Sequence, residues 1–326
     1  MKITITGGSG FIGRKLARAL LDDNALGVER LTMVDMVDPP AELTEDARVR
    51  AISGDIGSSE LLGDAIGSDT KAVFHLAAVV SAGAEEDFEL GKTVNLDSTL
   101  EILEIARRHG TCPKIVFASS CAAYGGDMPD VITDRQQLTP QTSYGTQKAI
   151  GELLINDYSR RGFIDGRALR YPTVVVRPGK PNKAASTFAS SIIREPLHGQ
   201  EALCPVAPET PMWLASPRSI VANTRIAHDL PAEAWTAKAD GSGGTWRAVA
   251  LPGFHVSVGE MVAALERVAG PEVAARVKWE RDPFIEKIVH GWPNNFETPR
   301  ADRMGFRRDQ DMDGVIRAFI EDEMGG

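Results

Sequence analysis

Tyr144 and Lys148 stand four residues apart in Tyr144-Gly145-Thr146-Gln147-Lys148, downstream of the adjacent hydroxyls Ser119 and Ser120. On a helix, that spacing puts a phenol and an ammonium on one face, a turn apart. An unperturbed phenol titrates near about 10, too high for a base at neutral pH. A fixed cation beside it favours the phenolate, so the lysine can make this tyrosine a usable proton acceptor. Either hydroxyl of the Ser119-Ser120 pair can hydrogen-bond a substrate oxygen whose charge changes during reaction. Such a Tyr/Lys pair arises by chance on many solvated helices. Its meaning here comes from the elements upstream of it.

Lys2–Thr6 reads as a short strand that runs into Gly7-Gly8-Ser9-Gly10-Phe11-Ile12-Gly13, and Phe11–Leu21 then repeats apolar residues at helical spacing. A glycine-rich turn between strand and helix lets the backbone approach a pyrophosphate, whose charge sits against the N–H groups of the helix N-terminus. Asp35 ends the second strand, Arg30–Val34, about twenty residues past the turn, where a carboxylate can accept hydrogen bonds from both adenosine-ribose hydroxyls. Met36 and Val37 follow it, so no cation stands ready for a 2′-phosphate, and NAD is expected rather than NADP. The bland alternatives are a ligand-free turn and a solvated Asp35.

Further strands are expected at Val49–Ser53, Ala72–Leu76, Lys114–Ala118 and Ala168–Val175. Helical patterns cover Ser59–Ile66, Asp87–His109 and Tyr144–Arg161. This alternation predicts an α/β fold, a doubly wound parallel sheet of the Rossmann kind over residues 1–177. After Arg177 the prolines at 178, 181, 196, 205, 208, 211 and 217 punctuate short pieces. A smaller C-terminal α+β substrate lobe is expected over residues 178–326, with some segments returning to the first domain. Gly241-Ser242-Gly243-Gly244 reads as a turn before a strand at Thr245–Ala250; Ser257–Val268 and Met312–Glu323 read as amphipathic helices.

Composition narrows the partners. With 326 residues, 43% of them apolar, the chain can bury one large core or one core with a satellite. A net charge of −9 without a Lys/Arg-rich run argues against nucleic acid or an anionic membrane surface. The cysteines Cys112, Cys121 and Cys204 show no CxxC spacing, and the six histidines are scattered, so neither a disulfide framework nor a metal site is expected. Cys121 reads as a small buried thiol rather than a nucleophile. No basic-then-apolar leader opens the chain and no apolar run approaches membrane-spanning length, so a cytoplasmic protein is expected.

In order along the chain come Thr6-Gly7-Gly8-Ser9-Gly10-Phe11-Ile12-Gly13, Gly54-Asp55-Ile56, His75-Leu76-Ala77-Ala78, Asn95-Leu96-Asp97, Ser119-Ser120 with Tyr124-Gly125, and Tyr144-x-x-x-Lys148. Over residues 1–180 this resembles the extended short-chain dehydrogenases/reductases of the NAD-dependent epimerase/dehydratase type. The resemblance implies cofactor contacts from Gly7, Gly10, Phe11, Ile12, Gly13 and Asp35, with Asp55 and Ile56 bordering the adenine. It further implies Leu76, Ala77 and Ala78 along the cofactor channel, Pro172 and Val174 beside the nicotinamide, and Lys148 on the nicotinamide ribose. Asn95 would either hold a water that relays the proton or cap a helix start. Ser120, Tyr144 and Lys148 would be the catalytic set.

The segment from Arg170 to Lys183 is dense in cations and prolines, and could close a small pocket over a carboxylate held by Arg177 or Lys180. Solvated surface charge is the alternative. Where many epimerases carry an acidic Val-x-Asp motif opening a late helix, this chain has Trp213-Leu214-Ala215-Ser216-Pro217-Arg218-Ser219. The run Pro140–Glu152, joined to Arg177-Pro178-Gly179-Lys180-Pro181-Asn182, is similar to a narrower group, the D-erythronate dehydrogenases. That similarity implies NAD-dependent oxidation of the C2 hydroxyl of a small sugar acid to a 2-oxo acid. Ser81, Ser120, Cys121, Tyr144, Arg177 and Lys180 would then face the substrate. The alternatives are an NDP-sugar epimerase or dehydratase with retained NAD and, distantly, a non-catalytic NAD(H)-responsive binding protein. A homodimer through helices around Leu90–Arg107 and Tyr144–Arg161 is the family expectation.

Overall fold

The computed structural model describes residues 1–179, 185–236 and 246–325. Its central sheet has seven strands: β1 Lys2–Thr6, β2 Arg30–Asp35, β3 Val49–Ser53, β4 Thr70–His75, β5 Lys114–Ser120, β6 Asp165–Tyr171 and, much later, β10 Ala248–Ala250. Their order is β10-β6-β5-β4-β1-β2-β3. Ladders β3–β2, β2–β1, β1–β4 and β4–β5 are all parallel. The strand order reverses between β1 and β4, which opens a crevice at the strands' carboxyl ends. Thr6, His75 and Ser120, the last residues of β1, β4 and β5, stand at those ends.

Near-continuous burial along β1, β2 and β4 marks strands covered on both faces. Covering helices include α1 Phe11–Leu21, α2 Ser59–Ala65, α3 Ser98–His109 and α4 Ser143–Arg160. One core collects Val34, Leu62, Val73, Ile102, Phe117, Ile155 and Ala168. Each large aliphatic or aromatic side chain among them contributes roughly 1.5–3 kcal/mol by leaving water.

Two departures from the sequence expectation have simple causes. The run expected as one strand over Ala168–Val175 is divided at Pro172, with β6 in the main sheet and β7 Thr173–Val174 in another. Proline lacks the N–H that a ladder needs, so the strand cannot continue through it. The single helix expected over Asp87–His109 is instead Phe88–Lys92, a π-helical turn Thr93–Asp97, and α3.

The chain forms two compact units, each drawn from three separate stretches of sequence. The first holds Met1–Ala123, Thr142–Arg170 and Val221–Val249; the second holds Tyr124–Gln141, Tyr171–Ile220 and Ala250–Gly326. The sequence reading cuts the chain once, at residue 177, and lets some later segments return. The second unit has its own core of Val175, Phe188, Ile192, Met212, Leu214, Met261, Leu265, Ile316 and Phe319. Its strands are β7, β8 Ala202–Cys204, β9 Pro211–Ala215, β11 Phe254–Ser257 and β12 Val277–Trp279, arranged as β11-β9-β7 and β12-β8. The glycine turn Gly241–Gly244 lies outside the described residues. No helix among the described residues is long and apolar enough to cross a membrane.

Candidate active site

Helix α4, which carries Tyr144 and Lys148, starts where the sequence provides a cap. Thr142 is extended and its hydroxyl accepts the Gly145 N–H at 3.0 Å, a contact that contributes about 1 kcal/mol. Tyr144 and Lys148 therefore lie in the first two turns, on the side facing β5. A Cβ on Gly151 would stand 2.7 Å from the Phe117 ring, so glycine here lets α4 press onto β5. Lys148 is drawn into that seam. Its Nζ donates to the Ala118 carbonyl at 2.8 Å and lies 4.8 Å from the Phe117 ring centroid and 5.6 Å from that of Tyr144. Burial lowers the Lys148 amine to about 7, and the Glu152 carboxylate opposes the fall. Tyr144 itself is half-buried.

The two serines at the end of β5 separate by strand alternation. Ser119 is buried and its hydroxyl donates to Glu152 at 2.5 Å, so its proton is committed inside the fold. Ser120 is half-buried, and its oxygen accepts the Ala122 N–H at 3.1 Å. Of the pair, Ser120 is the more exposed. Cys121 is buried with its thiol on the Arg170 carbonyl, and burial pushes that thiol up to about 12; it is no nucleophile.

Asn95 stands in the π turn, and its side chain is spoken for. Nδ2 donates to the Val79 carbonyl at 3.0 Å and to Gln147 Oε1 at 2.7 Å, while Oδ1 accepts the Val79 N–H at 2.8 Å. It is thus a tie between the loop after β4 and helix α4, not the helix-start cap weighed from sequence. π turns of this kind frequently mark functional sites. A second chain supports it: Thr99 donates to the Asn95 carbonyl at 2.8 Å, leaving its oxygen to accept from His75 Nε2 at 2.9 Å. His75 Nδ1 then accepts from the Thr6 hydroxyl at 2.7 Å. Burial lowers His75 to about 3, so the ring stays neutral, as this pattern requires.

At the other end of the crevice, Gly7 and Gly8 donate to the Val34 carbonyl, and Gly10 begins α1 with no side-chain cap. The first-turn N–H groups of α1 are left for an anion. A Cβ on Gly13 would fall 2.2 Å from the Gly7 carbonyl oxygen, which is why the helix can start so close beneath the turn. Asp35 Oδ2 accepts the Ser9 N–H at 2.9 Å and Oδ1 accepts the Met36 N–H at 2.7 Å. The carboxylate is held at the lip of the turn, half-buried, with lone pairs left over. These features fit a dinucleotide whose pyrophosphate lies on the helix end and whose ribose lies on the acid. Phe11 and Ile12 are half-buried in the first turn of α1. Ile56 is buried after β3 beside exposed Asp55; Leu76, Ala77 and Ala78 follow β4, and Ser81 opens the helix Ser81–Glu86.

Pro172 and Val174 are buried in the second unit. Arg177, also there, donates through Nε to the Val174 carbonyl at 3.0 Å and through Nη2 to Ser186 at 2.8 Å, while Arg194 holds its carbonyl. Part of its guanidinium is therefore used to shape its own loop. Lys180 lies outside the described residues. In the Trp213–Ser219 segment, Ser216 caps the helix Pro217–Asp229 and is itself clamped by Asp309, to which its hydroxyl donates at 2.6 Å. No group of three or more His, Cys, Asp or Glu suited to a metal occurs among the described residues.

Sequence reasoning passed over Glu152, Arg170 and Gln147. Glu152 follows Lys148 at the same four-residue spacing that singled out Tyr144, and that was the available signal. Comparison with known proteins bears on the whole arrangement. A D-erythronate dehydrogenase of Cupriavidus necator is 52% identical over 99% of this chain and 98% of its own length. A D-erythronate dehydrogenase of Haemophilus influenzae is 44% identical over 99% and 100%. A crystal structure described as the nucleoside-diphosphate-sugar epimerase from Agrobacterium tumefaciens superposes with a TM-score of 0.93 at 41% identity, covering 100% of this chain and 95% of that one. The family described as NAD dependent epimerase/dehydratase matches residues 3–213, and with the turn, the acid and the Tyr144–Lys148 pair in place, the chain belongs to that family, with NAD as its cofactor.

Proposed function

We propose that this NAD-dependent dehydrogenase oxidises the C2 hydroxyl of a small sugar acid of the D-erythronate kind to the 2-oxo acid. The observation that carries the chemistry is the buried Lys148 ammonium, anchored on Ala118 of the strand that ends in Ser120 and set beneath the Tyr144 ring. Near-full-length identity to two D-erythronate dehydrogenases supports the substrate class. NAD⁺ supplies the two-electron acceptor for the hydrogen leaving C2. The Tyr144 oxygen takes the hydroxyl proton, the Lys148 cation favours its phenolate form, and the Ser120 hydroxyl donates to the substrate oxygen as charge develops there. Ser81 and Cys121 would contribute to the wall around the substrate. Arg177 and Lys180 are the cations proposed to take the carboxylate.

A second reading, an NDP-sugar epimerase or dehydratase with retained NAD, is favoured by the likeness to the Agrobacterium structure described as an epimerase. The two differ in net redox. Mixing the protein with NAD⁺ and D-erythronate should produce NADH, read by absorbance, at one equivalent per sugar acid consumed. UDP- and dTDP-sugars should produce none and should remain unconverted. Turnover of a nucleotide sugar without NADH accumulation would reject the sugar-acid assignment.

The protein is proposed to work in the cytoplasm as a homodimer. Leu90, Leu100 and Leu153 are 45%, 40% and 57% exposed on the helices Phe88–Lys92, α3 and α4, a face suited to a four-helix contact with a second copy. Leu100→Glu with Leu153→Glu should convert a dimer to a monomer by light scattering while circular dichroism stays native. A wild-type protein that is monomeric at micromolar concentration would end this proposal.

A further inference from the structure

Glu152 is 0% exposed on α4, one turn beyond Lys148, and no step described so far uses it. Its two oxygens are saturated. Oε1 accepts the Ser119 hydroxyl at 2.5 Å and Arg170 Nε at 2.9 Å, and Oε2 accepts Arg170 Nη2 at 2.6 Å and Nε at 3.1 Å. Arg170, on β6, is also buried, at 3% exposed. Taking such a pair out of water is costly, and an apolar pair of similar volume would stabilise the fold at least as well. Stability alone therefore gives a weak reason for charge at this place. What the carboxylate touches gives a better one.

We propose that Glu152 is a positioning residue of the Tyr144–Lys148 pair: clamped by Arg170 one turn past Lys148 on α4, it fixes the end of β5 through Ser119 and places a buried carboxylate beside the lysine. Three consecutive residues of β5 divide the work. Ala118 gives Lys148 its carbonyl, Ser119 gives Glu152 its hydroxyl, and Ser120 faces the ligand side. Displacement of Ser119 would therefore shift both the lysine's anchor and the catalytic serine. The inference rests on the Tyr144–Lys148 reading above and deepens it.

The electrostatic surroundings of Lys148 are well defined. From β5 it meets the Phe117 ring face and a carbonyl, and from its own helix it meets the Tyr144 ring and Glu152. From β4 comes His75, neutral throughout the working range. Arg170 of β6 is turned to Glu152, and the Cys121 thiol remains protonated. Burial in this setting lowers the amine to about 7, and Glu152 is the group that opposes it. Loss of that charge would shift the lysine toward the neutral amine and weaken the cation proposed to make Tyr144 a base.

The test reads Lys148 directly. In cofactor-free protein carrying ¹³Cε-lysine, the resonance missing from Lys148→Met identifies the side chain, and its pH titration gives the midpoint. Glu152→Gln removes the charge but leaves Arg170 unpaired, so Glu152→Gln/Arg170→Met is measured beside it as the variant expected to fold. In both, the midpoint should fall by about one pH unit or more. Ser119→Ala, which keeps the charge, should leave the midpoint in place. The alkaline limb of kcat/KM for D-erythronate oxidation should move down with the midpoint. A double variant that titrates within about 0.2 pH unit of wild type, whatever its melting temperature, overturns the proposal. A midpoint that falls while the pH profile stays put leaves Glu152 its electrostatic role and refutes the use of Lys148 in the reaction.

Discussion

Replacing Tyr144 by phenylalanine should leave NAD affinity essentially unchanged and lower turnover of the sugar acid by about 10²-fold or more, the scale of a lost general base. The two side chains differ by one oxygen. The substituted side chain keeps the ring that lies over Lys148 Nζ, so the packing that seats α4 on β5 through Gly151 and Phe117 survives. The dinucleotide turn and Asp35 are on other elements and are untouched. What disappears is the oxygen proposed to take the substrate proton. The measurement is a paired one: NAD binding by calorimetry and kcat by NADH absorbance on the same preparation. Since only the transition-state interaction is removed, kcat and kcat/KM should fall together. Turnover within about threefold of wild type would reject Tyr144 as the base.

How much of this was legible in the sequence depends on the length scale of the signal. The glycine turn, Asp35 and the Tyr144–Lys148 spacing are local patterns on single elements. β1 at Lys2–Thr6, α1 at Phe11–Leu21 and β3 at Val49–Ser53 accordingly fall where periodicity places them. Pro172 shows the limit of even a local signal, since the apolar run Ala168–Val175 looks continuous until the missing N–H is counted. The π turn at Thr93–Asp97 was hidden because its cause is not local: Asn95 is pulled toward Val79 and Gln147 by bonds spanning 16 and 52 residues. Glu152 and Arg170 were hidden for a related reason. A charged residue at helical spacing reads as a solvated face, and only the packing of α4 against β5 and β6 shows that both charges are inside. The difference between Ser119, buried on Glu152, and the half-buried Ser120 likewise comes from side-chain direction along β5 rather than from residue type.

Gly13→Val should abolish measurable NAD binding while the apo protein stays folded. The reason is steric before it is electrostatic. A Cβ at position 13 meets the Gly7 carbonyl oxygen at 2.2 Å and that of Gly8 at 2.7 Å, both backbone atoms with nowhere to rotate. The start of α1 must then retreat from the turn, and with it the uncapped N–H groups that would face the pyrophosphate. Each charge-assisted hydrogen bond lost costs about 1.5–3 kcal/mol. Losing two therefore lowers affinity by roughly 10²- to 10⁴-fold. Thermal melts give the reading: at about 100 times the dissociation constant, NAD should stabilise wild type by about 2.7 kcal/mol. The same concentration should leave the variant's melting temperature where it was without ligand. Gly63→Ala is the matched control, since its added Cβ meets nothing within 4 Å on an exposed face of α2 and should be neutral or slightly stabilising. A valine variant that binds NAD within about tenfold of wild type would mean that the turn after β1 is not where the pyrophosphate lies.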